Sequence, residues 1–111
     1  MAYDTLDNYD NGSAWYGSGL KYAVTMTCEG FSMDTDDWEI TVTRGPRRIV
    51  FTRENSVRDD QGQWYICIDT KALGPGELYI TFDAAVPDSD FEDGVRHEIQ
   101  RFRLINSRNL V

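Results

Sequence analysis

Apolar and polar side chains alternate along several stretches of this chain, and this period limits its possible folds more than any other feature. Successive side chains of a β-strand point to opposite faces of a sheet, so alternation predicts strands that bury one face. The pattern is clearest where Trp38, Ile40 and Val42 alternate with glutamate and threonine. Further strands are predicted at residues 20–29, 49–51, 63–69, 77–84 and 95–105.

The number and spacing of these strands predict the fold class. Turn-forming residues recur about every eight to twelve positions, and no segment shows the period of a helix. We therefore predict an all-β chain folded as a two-sheet antiparallel β-sandwich of about six to seven strands. A small closed β-barrel is the alternative that the same patterns allow. In the last strand Ile99 and Phe102 fall on opposite parities, which predicts a β-bulge near Gln100.

The domain organisation follows from the length and from the start of the alternation. A chain of 111 residues fits one domain, because a second hydrophobic core would lack side chains. Residues 1–19 are polar and glycine-containing without an apolar period, which predicts a flexible or extended N-terminal arm. Residues 20–111 are predicted to form the β-sandwich domain. Tyr9, Trp15 and Tyr16 in the arm either pack on that domain or contact a partner, and packing is the favoured interpretation.

The net charge of -8, from 19 acidic and 11 basic side chains, argues against two classes of partner. It repels the phosphate backbone, so we do not expect nucleic acid binding. No apolar run reaches the roughly 18 residues of a membrane span, so we do not expect a membrane partner. The first residues are acidic where a secretory signal is basic and then apolar, which predicts a protein that is cytoplasmic when synthesised.

Residues that could carry chemistry are few. His97 is the single histidine, and its place between Arg96 and Glu98 indicates a surface side chain. Motifs of nucleophilic catalysis and glycine-rich phosphate loops do not occur. We therefore predict a protein that is not an enzyme, with no catalytic residue and no cofactor.

Two other features are candidates for ligand sites. The acidic loop 88–94 has Asp93 where the EF-hand spacing needs glycine, so a solvated turn is predicted in place of a calcium site. Cys28 and Cys67 have no metal-ligand spacing, and strand parity places them on opposing faces. We therefore expect two free thiols and no metal site.

Arginines are concentrated in two regions. Such segregation favours docking by charge complementarity, although scattered solvated charge explains it equally well. The first group lies around the turn predicted at Arg44-Gly45-Pro46-Arg47 and consists of Arg44, Arg47, Arg48, Arg53 and Arg58. The second group is Arg96, Arg101, Arg103 and Arg108.

Two stretches carry a resemblance to known proteins. They contain Asp69-Thr70 followed by Leu73-Gly74-Pro75-Gly76, and then the segment from Val86 to Glu98. Together they resemble a pattern of small proteins from bacterial prophage tail regions, similar to the amino-terminal domain of phage baseplate upper proteins. That resemblance implies an immunoglobulin-like β-sandwich. Cys28, Trp38 and Tyr65-Ile66-Cys67 are also similar to the immunoglobulin pattern, but Trp38 follows Cys28 too closely for an antibody-type domain.

The resemblance implies a function as well as a fold. It implies a non-enzymatic structural or adaptor module of a phage-derived tail or baseplate, associated with the virion. The implied partners are other tail or baseplate proteins, or a second copy of the chain. A carbohydrate-binding module is the alternative, if Trp15, Trp38 and Trp64 are exposed together. The candidate partner contacts are Tyr9, Trp15, Tyr16, Arg47 and Arg48.

Overall fold

The computed structural model describes the backbone of residues 12–15, 17 and 19–108, and the side chains of 17 and 19–101. Eight strands and two short helical turns are present among these residues. The strands are β1 (Gly12–Trp15), β2 (Gly19–Val24), β3 (Trp38–Arg44), β4 (Arg47–Phe51), β5 (Val57–Arg58), β6 (Trp64–Asp69), β7 (Gly76–Pro87) and β8 (Val95–Arg108). The helical turns are a 3-10 turn at Arg53–Asn55 and a single α-helical turn, α1, at Thr70–Leu73.

The strands form two sheets. The larger sheet has the order β1-β8-β7-β3-β4, and the smaller has the order β2-β6-β5. Every pairing is antiparallel except that of β1 with β8, which is parallel. The predicted all-β, two-sheet sandwich is confirmed. Two strands were not predicted, β1 and β5, because segments of four and two residues are too short to show a period.

The core lies between the two sheets and consists of the inward side chains of alternate strand residues. Fully burying an aliphatic or aromatic side chain contributes about 1.5–3 kcal/mol each, which makes this layer the main source of stability. Trp38 of the larger sheet meets Trp64 of the smaller one edge-on, with ring centroids 5.6 Å apart. The buried side chains include Val24, Trp38, Ile40, Val42, Phe51, Trp64, Ile66, Ile68, Leu78, Ile80, Phe82, Ala84 and Val86.

The β7–β8 hairpin contains the predicted bulge. Ile80 pairs with Arg103 and Thr81 with Arg101, so Phe102 is an extra residue in β8. The bulge predicted near Gln100 is confirmed, two residues further along the strand. Its consequence is that Ile99 and Arg101 share one face of the sheet, whereas the parity of β8 changes beyond them.

Two segments differ from the predicted strand boundaries. The strand expected at 20–29 ends at Val24, whose carbonyl accepts a hydrogen bond from the Gln63 side-chain amide. The strand predicted at 63–69 is followed by α1, because the Asp69 carboxylate accepts from the backbone N–H of Lys71 and caps a helical turn. Short capped turns leave no periodic signal in a sequence.

The connection from β4 to β6 crosses between the two sheets. Both cysteines are free thiols: Cys28 is half-buried against the core, and Cys67 is exposed on the outer side of the smaller sheet. Neither helical turn in the described part of the chain is long or apolar enough to span a membrane.

Candidate functional site

The side of the larger sheet that faces away from the core carries the most chemistry. We call it the outer face, and define it by the outward side chains of β3, β4, β7 and β8. Strand register fixes its membership, because residues paired across an antiparallel ladder point to the same side. The outer face comprises Glu39, Thr41, Thr43, Arg48, Val50, Tyr79, Thr81, Asp83, Ala85, Val95, His97, Ile99 and Arg101.

A cleft of about 410 Å³ opens at the end of the outer face nearest the β7–β8 loop. We call it the acidic cleft, because five carboxylates and one guanidinium line it. Trp38, Ala85 and Val95 supply its apolar lining. The charged lining consists of Asp37, Glu39, Glu54, Asp83, Asp93 and Arg53, beside His97.

His97 of β8 forms a close polar contact with Asp83 of the neighbouring strand β7. Its Nδ1 atom lies 2.8 Å from Oδ1 of Asp83, and 52% of its side chain remains exposed. The hydrogen bond to Asp83 raises the pKa of His97, the negative charge of Asp83 raises it further, and Asp93 and Glu39 add smaller contributions. The pair therefore holds a proton on His97 more firmly than a solvated imidazole would, and increases the basicity of the ring.

Arg53 organises the wall of the cleft. Its guanidinium donates to the carbonyl of Asp36 at 2.6 Å and lies 3.6 Å from the Asp37 carboxylate. The 3-10 turn that carries Arg53 is capped by Thr52 and Asn55. Because Arg53 is engaged with the 33–37 loop, most of the cleft's negative charge is left to solvent.

A second polar network lies at the edge of the smaller sheet. Asp34 accepts hydrogen bonds from Nε of Arg58 and from the indole N–H of Trp64, both at 2.9 Å. The bond from Arg58 lowers the pKa of the Asp34 carboxyl, and the indole N–H lowers it further. This network ties the 33–37 loop to β5 and β6, so its role is structural.

The acidic loop 88–94 uses its carboxylates locally. Asp88 accepts from the backbone N–H of Asp90, and Asp93 accepts from that of Val95. Arg96 forms an ion pair with Asp88 at 3.4 Å and also contacts Glu98. Among the described residues, no three histidine, cysteine or acidic side chains are grouped so that they could hold a metal ion.

The structure separates the first arginine group into two classes. Arg44 donates to the carbonyl of Leu73, and Arg53 and Arg58 bind the 33–37 loop. Arg47 and Arg48 are exposed on β4, and they take part in none of the ion pairs found among the described residues. These two are the arginines proposed from sequence as partner contacts.

The aromatic candidates have different positions. Tyr9 and Tyr16 lie outside the described residues, and of Trp15 only the backbone is described, at the end of β1. Trp38 and Trp64 are 4% and 8% exposed, and their indole N–H groups donate to Met33 and Asp34. Neither ring is available to stack on a sugar, which removes two of the three tryptophans that the carbohydrate-binding alternative needs.

Sequence reasoning missed the acidic cleft. His97 was correctly interpreted as a surface residue, but its partner Asp83 lies 14 positions away on another strand. The signal that could have found the pair was the hairpin register, since pairing Pro87 with Val95 places Ala85 opposite His97 and Asp83 diagonal to it.

Comparison with known proteins adds no relative. No protein-family model matches this chain. No curated protein and no solved structure is significantly similar to it.

Proposed function

We propose that this protein is a non-enzymatic structural or adaptor module that works through protein–protein contacts, with Arg47 and Arg48 on β4 as its basic docking edge. One observation carries the proposal. In a chain with a net charge of -8, these two adjacent arginines are exposed, while the three others of their group are engaged internally. Exposed arginines offer planar, bidentate binding to carboxylates of a partner.

The β4 edge favours docking by side chains over docking by strand addition. The side-chain amide of Asn55 donates to the carbonyl of Val50, and its oxygen accepts from the N–H of Thr52 at 2.6 Å. These bonds occupy the backbone groups at the end of β4. A partner strand would therefore find only the Arg47 end of the edge available, where charged side chains oppose strand pairing.

We propose a phage-derived tail or baseplate as the assembly in which the module acts. The support for this setting is the sequence resemblance of the stretches around Leu73-Gly74-Pro75-Gly76 and Val86–Glu98. The partner expected there is a tail or baseplate protein with an acidic surface, because charge complementarity steers association and fixes its register.

The proposal is tested by incorporation into particles. Tail particles are purified after prophage induction from cells that express the chain with Arg47→Glu and Arg48→Glu together, or with both changed to lysine. The reversed variant should be depleted from particles at least about tenfold, because attraction to an acidic partner becomes repulsion. The lysine variant keeps the charge and should be incorporated nearly as well as the original chain.

Two results would count against this function. If the unaltered chain is absent from every purified particle, the tail setting is wrong. If the reversed variant is incorporated normally while it remains folded by circular dichroism, the arginine edge is not the docking surface.

A further inference from the structure

We propose that the acidic cleft binds an extended basic segment of a partner protein, whose arginine or lysine side chains are directed at the carboxylates of the cleft. The cleft lies at the opposite end of β4 from Arg47 and Arg48. It is therefore a second surface, beyond the one assigned to the proposed function, and its occupant requires neither of those arginines. Three features of the cleft support this site: its shape, its uncompensated charge and the spacing of its carboxylates.

The cleft crosses the strands of the larger sheet. His97 of β8, Asp83 of β7 and Glu39 of β3 line it in strand order, and the 3-10 turn that follows β4 lines its far side. Neighbouring strands lie about 4.8 Å apart, so a cleft across four of them is roughly 15 Å long. An extended chain rises about 3.3 Å per residue, so about four or five residues of a partner fit along it.

Most of the negative charge in the cleft is uncompensated. Five carboxylates line it, against the single guanidinium of Arg53. Arg53 already donates to the carbonyl of Asp36 and lies 3.6 Å from the carboxylate of Asp37. Glu39 and Glu54 are exposed, and they take part in none of the ion pairs found among the described residues. Their carboxylates are therefore available for charge-assisted hydrogen bonds from a cationic side chain.

The spacing of the carboxylates favours a chain of cationic side chains over a bare metal ion. In the part of the chain that the structure describes, no three acidic, histidine or cysteine side chains are close enough together to hold a metal ion. The carboxylates are instead distributed along the cleft, from Asp93 in the β7–β8 loop to Glu54 in the 3-10 turn. Charges distributed in this way are complementary to cations carried at intervals along one polypeptide.

The apolar lining of the cleft fits the remaining part of a basic side chain. Arginine and lysine carry three or four methylene groups before the charge, and they bury this stem on apolar surface while the charged group stays in water. Ala85 and Val95 are half-buried and line the cleft on the side of His97. The cleft therefore offers contacts to both parts of an arginine or lysine side chain.

His97 couples occupation of the cleft to protonation. Protonated His97 adds one positive charge beside Asp83, so a basic segment should bind more weakly as the pH falls through the pKa of His97. Linkage requires the reciprocal effect, in which a bound cation disfavours the protonated ring and lowers the pKa of His97. The charged groups that share the cleft with this ring are Asp37, Glu39, Arg53, Glu54, Asp83 and Asp93.

The test follows the ring of His97 by NMR while a basic peptide is added to the purified full-length chain. The chain has one histidine, so its ring resonances report binding in the cleft itself. The probe is a blocked pentapeptide in which two arginines alternate with glycine, which places both arginines on one side of an extended chain. It should shift the His97 resonances saturably and lower the pKa of His97.

The matched control peptide has citrulline in place of both arginines. Citrulline has nearly the shape of arginine without its charge, so this peptide should bind at least about tenfold more weakly. Putrescine is the second control, because it carries two positive charges without a peptide backbone. It should bind more weakly than the arginine peptide, since it makes no contacts along the length of the cleft.

Two double variants separate the cleft from the general negative charge of the protein. Glu39→Gln combined with Glu54→Gln removes two carboxylates from the cleft and should weaken peptide binding at least about fivefold. Glu29→Gln combined with Asp60→Asn removes two exposed carboxylates that do not line the cleft. That variant should bind the peptide within about twofold of the original chain. All four side chains are exposed, so both variants should keep the original melting temperature.

The site would be excluded by an arginine peptide that leaves the His97 resonances or the pKa of His97 unchanged. Equal binding of the arginine and citrulline peptides, or equal weakening by the two double variants, would exclude it as well. Tighter binding of putrescine than of the arginine peptide would assign the cleft to a small diamine and overturn the protein partner. Arg47 and Arg48 are intact in every chain used, so none of these results depends on incorporation into particles.

Discussion

At the scale of single residues, the contact between His97 and Asp83 perturbs a titratable group on the outer face. The imidazole is exposed, so its environment acts through a hydrogen bond and a neighbouring charge, with burial opposing both. The chain has one histidine, so the ring gives one set of resonances in an NMR titration.

We predict that Asp83→Asn lowers the pKa of His97 toward its ordinary value, because the amide removes the charge and weakens the hydrogen bond. An NMR titration of the His97 ring measures this directly. Glu39→Gln is the control, since Glu39 contributes least among the carboxylates that raise this pKa. An unchanged His97 pKa in Asp83→Asn would show that the pair does not form in solution.

The same contact gives stability a defined pH dependence. The pKa of His97 is raised on folding, so protonated His97 stabilises the folded state fully below its unfolded pKa near 6.5. This contribution is lost as the pH rises through the higher folded pKa. The loss of stability across that window should be smaller in Asp83→Asn.

At the scale of elements, the junction between β3 and α1 depends on a glycine. Gly74 has a φ of +87°, and a Cβ placed there would lie 3.0 Å from Nη2 and 3.1 Å from Nε of Arg44. Arg44 is held at this position because it donates to the carbonyl of Leu73. A side chain at position 74 would therefore meet both an unfavourable backbone conformation and a guanidinium engaged in a hydrogen bond.

We predict that Gly74→Ala lowers the free energy of unfolding by about 1–3 kcal/mol, from backbone strain and from displacement of Arg44. Urea denaturation measures the difference. Gly19→Ala is the matched control, because a Cβ there meets nothing within 4 Å and its φ is not positive. That control should change the stability by less than about 0.5 kcal/mol, and equal effects of the two substitutions would contradict the strain argument.

The elements also show what a sequence can and cannot predict. The long strands β3, β6 and β7 were predicted because their side chains alternate between core and surface. The bulge was predictable because Ile99 and Phe102 conflict in parity. By contrast α1 depends on one capping carboxylate, and the pairing of β1 with β8 joins residues about 93 apart, as in Gly12 with Ile105, so neither leaves a local pattern.

At the scale of the whole molecule, the two sheets share one core, and the acidic cleft lies outside it. The sandwich was predictable because burial follows a period of two along each strand. The cleft depends on register between strands and on the 3-10 turn that carries Arg53, which single-strand patterns do not contain. The composition of the outer face likewise appears only when four strands are aligned.

We predict that neighbouring residues on opposite sides of β7 differ sharply in their effect on global stability. Ile80→Ala should cost about 2–5 kcal/mol, because it leaves a cavity between the sheets. Thr81→Ala, on the outer face, should change the free energy of unfolding by less than about 0.5 kcal/mol. Urea unfolding followed by tryptophan fluorescence and circular dichroism should show one coincident transition for each variant, whereas similar effects of the two substitutions would place the core elsewhere.

The two thiols differ in accessibility, and this difference gives the molecule a ready point of attachment. Burial raises the pKa of the Cys28 thiol, whereas Cys67 is exposed on the smaller sheet. A maleimide dye or gold cluster should therefore react first at Cys67. The label would project from the side of the sandwich opposite the outer face, where it reports the orientation of the molecule and leaves that face uncovered.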